Sequence, residues 1–237
     1  MQGLMLHSGA EKIGRQDLLS LPTPEPTATH KPIAHFKVVA SLLESLSYRN
    51  IDVVRDEYAV SKDGMRMFGF LQLNLNEGDI CISLGLRNSH DKSFSLGLTV
   101  GYRVFICDNL AFNGDFTPVT AKHSKHFDIQ SVISSGVDKA QRHFVPMVTR
   151  INAFKKFSLS DNDAKLVIYK AFVEGDGFPK HLARQVHQEY FEPQYKEFEP
   201  RTLWSLENGF TSAFKTLDAI PQFQATAKLA PFIQQFA

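Results

Sequence analysis

The sequence predicts an α+β fold: an antiparallel β-meander packed with a long helix, followed by a helical C-terminal part. Three observations carry this expectation. Apolar residues alternate with a period of two from Ile51 to about Phe112, interrupted only by short turn-rich segments. A three- and four-residue period then holds from Ile129 to Phe154. Beyond Ser160 the chain consists of helical patterns divided by Gly, Pro and capping residues.

Taken in order, "LPTPEPTATHKP" (21–32) carries four prolines and is expected to be extended, since proline fixes φ and removes a donor. In "IAHFKVVASLLESLSYRN" (33–50), Phe36, Val39, Leu42, Leu43 and Leu46 mark one face of an amphipathic helix. The strands "IDVVRDEYAV" and "MRMFGFLQLNL" flank Ser61-Lys62-Asp63-Gly64, whose Asp-Gly pair is a hairpin signal. Glu77-Gly78-Asp79 turns the chain into "ICISLGLRN". A polar heptapeptide (87–93) then leads to "SFSLGLTVGYRVFICDNLAF".

The long helix from about Asp128 is expected to bend near Pro146. Ser160 and Asp163 form a capping-box-like start with a short acid, and Pro179 suits the first residue of the next helix. Thr202 is the expected cap of a helix whose buried stripe is Leu203, Leu206, Phe210, Phe214 and Leu217. The resulting domain plan is an N-terminal extended segment (1–32) and a single α+β domain (33–237). Its sheet-containing core covers about 33–157 and its helical part about 158–237.

At 237 residues with 43% hydrophobic and 22% charged residues, the chain has material for a real core. No stretch approaches the roughly 18–20 apolar residues that span a bilayer. "MQGLMLHSGAEK" lacks the basic start and apolar run of a secretory signal, so the cytoplasm is the expected location, without membrane association. Cys81 and Cys107 each lie inside an apolar run and are read as buried thiols. The net charge of +1 conceals an asymmetry. Residues 87–156 hold ten Lys or Arg against five Asp or Glu, and the segments on either side each carry net −2. The basic middle third suggests an anionic partner.

Two basic segments are the candidates for holding it. In the heptapeptide, Arg87, Asn88, Ser89 and Lys92 offer cations and hydrogen-bonding groups for a phosphate or carboxylate, against the alternative of a hydrated hairpin loop. In "AKHSKHFD" (121–128), Lys122, His123 and Lys125 precede the long helix, where the N-terminal dipole favours anions. Arg103 completes the set of expected DNA or anion contacts. Phe94, Tyr102, Phe112 and Phe116 flank these segments and suit core packing better than base stacking.

Were the protein an enzyme, its catalytic residues would come from His90, Asp91, Asp108, His123 and His126. His123 and His126 have metal-ligand spacing but lack the further ligands that zinc needs, so neither a metal nor another cofactor is expected. Nucleophile-elbow, Walker and dinucleotide patterns are all missing from the sequence.

"LHSGAEKIGRQDL…PTPEPTATHKPIAH", "GLRNSHDKS", "GYRVFICDNLAF" and "RTLWSLENGFTSAFK" resemble the phage/plasmid-like proteins grouped as domain of unknown function 932. The resemblance covers nearly the whole chain, and Cys107-Asp108-Asn109 matches a hallmark of that family. It implies a mobile-element context and carries over no site. At fold level alone, a helix, a meander and a long helix in that order is similar to single-strand annealing proteins of the Rad52 type. The expected function is therefore a mobile-element DNA-transaction protein that binds or anneals single-stranded DNA in recombination through its basic central region. Three or four phosphate contacts per chain bind weakly, so a homo-oligomer is expected. The alternatives are a protein-interaction module acting on a host factor, of anti-defence type, or an uncharacterised enzyme with a His/Asp site.

Overall fold

The computed structural model describes residues 10–77, 80–104, 110–112, 119–121, 128–175, 177–217 and 219–237. The fold is α+β, with an antiparallel sheet, a long helix and C-terminal helices. Contacts divide the chain into two compact units. The first comprises residues 1–103 and 116–144, the second residues 104–115 and 145–237. The boundary between them passes through the long helix.

In the first unit, α1 (His35–Ser47) precedes β2 (Val53–Ser61), β3 (Arg66–Glu77), β4 (Ile80–Ser89) and β5 (Leu96–Val104). Two elements extend the expected meander. The strand β1 (Ala10–Ile13) pairs antiparallel with β2, Ala10 opposite Ser61 and Ile13 opposite Tyr58. The N-terminal segment is therefore partly sheet, and Arg15 Nε secures it by donating to Asp56 Oδ2 at 2.6 Å. Four residues are too few to show a period. The other addition is β7 (Val119–Ala121), which pairs antiparallel with β5. Within the unit the strand order is β1-β2-β3-β4-β5, with β7 also on β5.

The β2–β3 turn forms as its Asp-Gly pair requires: Gly64 N–H donates to Ser61 O at 2.7 Å with φ at +67°, a conformation that glycine adopts without strain. Register divides the sheet into two faces. Met67 lies opposite Asn88, Gly69 opposite Leu86 and Leu71 opposite Leu84, so these six share one face. Asn88 bonds His35, the first residue of α1, so α1 covers this face. The buried stripe Val38, Val39, Leu42 and Leu46 builds the core there. Ile133, Val137 and Ala140, from the first half of α2 (Ile129–Lys156), are also fully buried. In β4 every residue but Arg87 is buried, as a central strand covered on both sides requires.

The second unit takes in the rest of α2, which continues through Pro146. It also holds β6 (Leu110–Phe112), α3 (Asp161–Tyr169), a π-helical turn (Lys170–Glu174), α4 (Ala183–Phe191), α5 (Leu203–Phe214) and α6 (Ala219–Gln234). The central element is α5, buried along almost its whole length. Its Phe210 stacks on Phe172 at 5.5 Å and meets Phe178 at 5.7 Å, giving an aromatic core.

Both expected caps are present. Thr202 Oγ1 accepts from Ser205 N–H, and Ser160 Oγ accepts from Asp163 N–H, each at 3.1 Å. The Asp163 carboxylate takes the Ser160 hydroxyl at 2.6 Å. A full capping box uses the longer Glu to reach the cap's backbone N–H. Pro179 precedes a short 3-10 turn (Lys180–Leu182) that leads into α4, rather than opening that helix itself.

Candidate nucleic-acid interface

One end of the sheet gathers the relevant chain. Arg66 opens β3 opposite Ser89, the last residue of β4, and Leu96 opens β5 opposite Ala121, the last residue of β7. The 62–65 turn and the 90–95 loop therefore lie at the same end, and β7 ends there too. Lys122, His123, Lys125 and His126 come directly after Ala121 in sequence and lie outside the described residues, as does Asp108.

The heptapeptide separates into three parts. Asn88, Ser89 and His90 are buried, which corrects the expectation that Asn88 and Ser89 face a ligand. The strand continues to Ser89, and the side chains bond inward: Asn88 Nδ2 to Ile33 O at 3.0 Å and to His35 Nδ1 at 2.9 Å, Ser89 Oγ to Phe94 O at 2.8 Å. A buried polar run has to be satisfied, and here Asn88 and His90 find partners more than fifty positions earlier, whereas Ser89 bonds within its own loop.

Asp91 closes the loop upon itself. Its Oδ1 accepts from Ser93 N–H at 2.9 Å, and Oδ2 lies 3.7 Å from Arg66 Nε. Burial pushes this carboxyl up, but hydrogen bonds from Ser93 and Ser89 and the charge of Arg66 outweigh it, so Asp91 titrates below its ordinary range. Lys92, at φ 64°, is exposed at the tip.

Arg87 is the third part. Its guanidinium carbon lies 5.5 Å from the centroid of the Phe94 ring, which in turn meets Phe68 at 5.3 Å. Phe68 is directly opposite Arg87 in the register, on the face away from α1. The stem crosses Gly97, where an added Cβ would come 2.7 Å from Nε. Burial lowers the Arg87 pKa. Among the described residues, Arg87 is thus a half-buried cation without a counter-ion, propped on the part-exposed Phe94 ring, which Phe68 backs.

Arg103 does not join this cluster. It lies near the other end of β5, seven residues from Leu96 and therefore roughly 23 Å along the strand. The residues that frame Arg87, namely Phe68 and Gly97, are not identifiable from spacing alone, because only strand register brings them together.

The catalytic alternative gains little from this geometry. The His90 ring donates from Nε2 to Ile33 O at 2.9 Å, and Asp91 is engaged by Ser93 and Arg66. Among the described residues, no three His, Cys, Asp or Glu side chains converge to hold a metal ion. Cys81 is buried, and Cys107 lies outside the described residues. No described helix is long and apolar enough to cross a membrane. No family model, curated protein or solved structure matches the chain, so function has to be argued from the site itself.

Proposed function

We propose that the protein binds single-stranded DNA at the sheet end that carries Arg87, as a DNA-transaction protein of the annealing kind from a mobile element. The observation that carries this reading is the Arg87 guanidinium, half-buried over Phe94 with no carboxylate among the described residues to neutralise it. A desolvated cation without a counter-ion favours an incoming phosphate, and neighbouring aromatic rings favour unpaired bases. Lys92 at the loop tip adds a second exposed cation. The chain after Ala121 contributes Lys122 and Lys125 in sequence.

A handful of cations per chain gives a salt slope of only about −2 to −3 on single strands, so useful affinity calls for several copies acting together. The test is fluorescence anisotropy of a labelled oligonucleotide at about 50 and about 200 mM salt. Saturation that weakens with salt and is lost in Arg87→Ala with Lys122→Ala supports the reading. The absence of binding at the lower salt overturns it.

A further inference from the structure

Beneath the 90–95 loop, three parts of the first unit are tied together by imidazoles. His35 and His90 stack face to face, their centroids 4.0 Å apart and their planes 9° apart, and both are closed off from solvent. His35 Nε2–H donates to Gly64 O at 2.9 Å, and its Nδ1 accepts from Asn88. The Asn88 amide cannot be turned over, because its oxygen would then face the Ile33 carbonyl. These bonds hold His35 as the neutral Nε2–H tautomer. His90 N–H donates to Met65 O at 2.8 Å, and its carbonyl accepts from His30 Nε2–H at 3.1 Å. Segment 30–35, the 64–65 turn and the end of β4 are thus joined through the hydrogen bonds of three histidines.

His90 is the weak member. Its Nε2–H is committed to Ile33 O, and its buried Nδ1 has no hydrogen-bond partner among the described residues. Among the described residues, His35 stacks on it and the charges that act on it are those of His30 and Asp91. Of these Asp91 is the negative one, and Arg66 and Ser93 already engage it.

We propose that His90 is a proton-uptake switch whose protonation releases segment 30–35 from the sheet end and loosens the 90–95 loop, which carries Lys92 and the Phe94 ring against Arg87. The added proton can go only to Nδ1, and the imidazolium it creates is buried against a second imidazole. Burial lowers the His90 pKa; the Ile33 carbonyl and Asp91 oppose this in part, and His30 adds to it. The folded form therefore binds fewer protons than the unfolded chain. The latch is complete above the unfolded value of about 6.5 and weakens as pH falls below it, until the folded pKa is passed. The regulatory consequence rests on the DNA-binding reading, whereas the latch does not.

The test is hydrogen exchange of the full chain at about pH 7.5 and about pH 5, corrected for intrinsic rates. Exchange in peptides covering 30–36 and 86–95 is expected to rise about tenfold in acid for the wild type. The variant His90→Gln keeps a donor for Ile33 O but takes no proton, so it is expected to stay protected at both values. Equal wild-type protection at the two pH values overturns the proposal, and so does a His90→Gln variant that opens in acid as the wild type does. A ring-proton titration of His90 by NMR provides a check independent of the variant's folding, and a midpoint at or above the ordinary imidazole value also overturns it. Oligonucleotide anisotropy at the same two pH values is read separately. Acid-sensitive exchange without DNA binding at either pH upholds the latch and removes the DNA reading.

Discussion

Arg49, in the turn after α1, donates from Nε to Asp138 Oδ1 of α2 at 2.7 Å. The rest of the guanidinium is equally occupied: Nη1 bonds Ser45 O and Oγ, and Nη2 bonds Ser134 O and Oγ. One side chain thereby closes the C-terminal end of α1 and fastens that helix to α2 within the first unit. The Arg49 side chain is 18% exposed and that of Asp138 is 47% exposed, so the two partners are expected to differ in weight. Arg49→Met should cost about 2 kcal/mol, because several acceptors lose a charged donor at once. Asp138→Asn should cost about 0.5 kcal/mol, as expected for a pair open to water. Urea unfolding of both variants checks this, and equal losses would contradict the argument.

Gly97 provides a way to move Arg87 without removing its charge. A methyl group at Gly97 would lie 2.7 Å from Arg87 Nε and 3.1 Å from its Cγ, so the stem has to leave its path across β5. The guanidinium is then displaced from the Phe94 ring. If DNA is held by this cation in this position, Gly97→Ala should weaken oligonucleotide binding by about tenfold, close to the effect of Arg87→Ala. A variant that relied only on net charge would bind as the wild type does. Anisotropy measured on Gly97→Ala, Arg87→Ala and Arg87→Lys side by side separates the two cases.

The elements were largely legible in the sequence because local signals determine them. The Asp-Gly turn at Gly64, the caps at Ser160 and Thr202, and the stripe from Leu203 to Leu217 each depend on neighbours within a few residues. The site was legible only in part, since its partition depends on distant pairing. Arg87 and Lys92 emerged from charge alone. Asn88 and His90 look identical to loop residues until Ile33 and His35 are brought against them, some 53 to 57 positions away. Arg103 shares the charge of the cluster, but strand length carries it to the other end of β5. The short strands β1 and β7 escaped notice because three or four residues cannot display a period.

A second arginine lacks acceptors, in the other unit. Arg150 of α2 lies with its guanidinium carbon 5.9 Å from the Phe154 centroid, and its Nε and Nη2 are shut off from water with no hydrogen bond among the described residues. These two atoms form the side-on edge with which arginine grips a carboxylate or phosphate. Unmet donors of this kind cost stability, roughly 1 kcal/mol or more each once water is lost. Arg150→Met keeps an unbranched apolar stem over Phe154 and removes both donors. The expected result is a gain of about 1 kcal/mol, seen as a thermal midpoint higher by about 2–4 °C. The same substitution at Arg49 has the opposite sign, because every N–H there has a partner. A lower midpoint for Arg150→Met would mean that this edge meets an acceptor in solution, and titration with inorganic phosphate would then raise the midpoint of the wild type but not that of the variant.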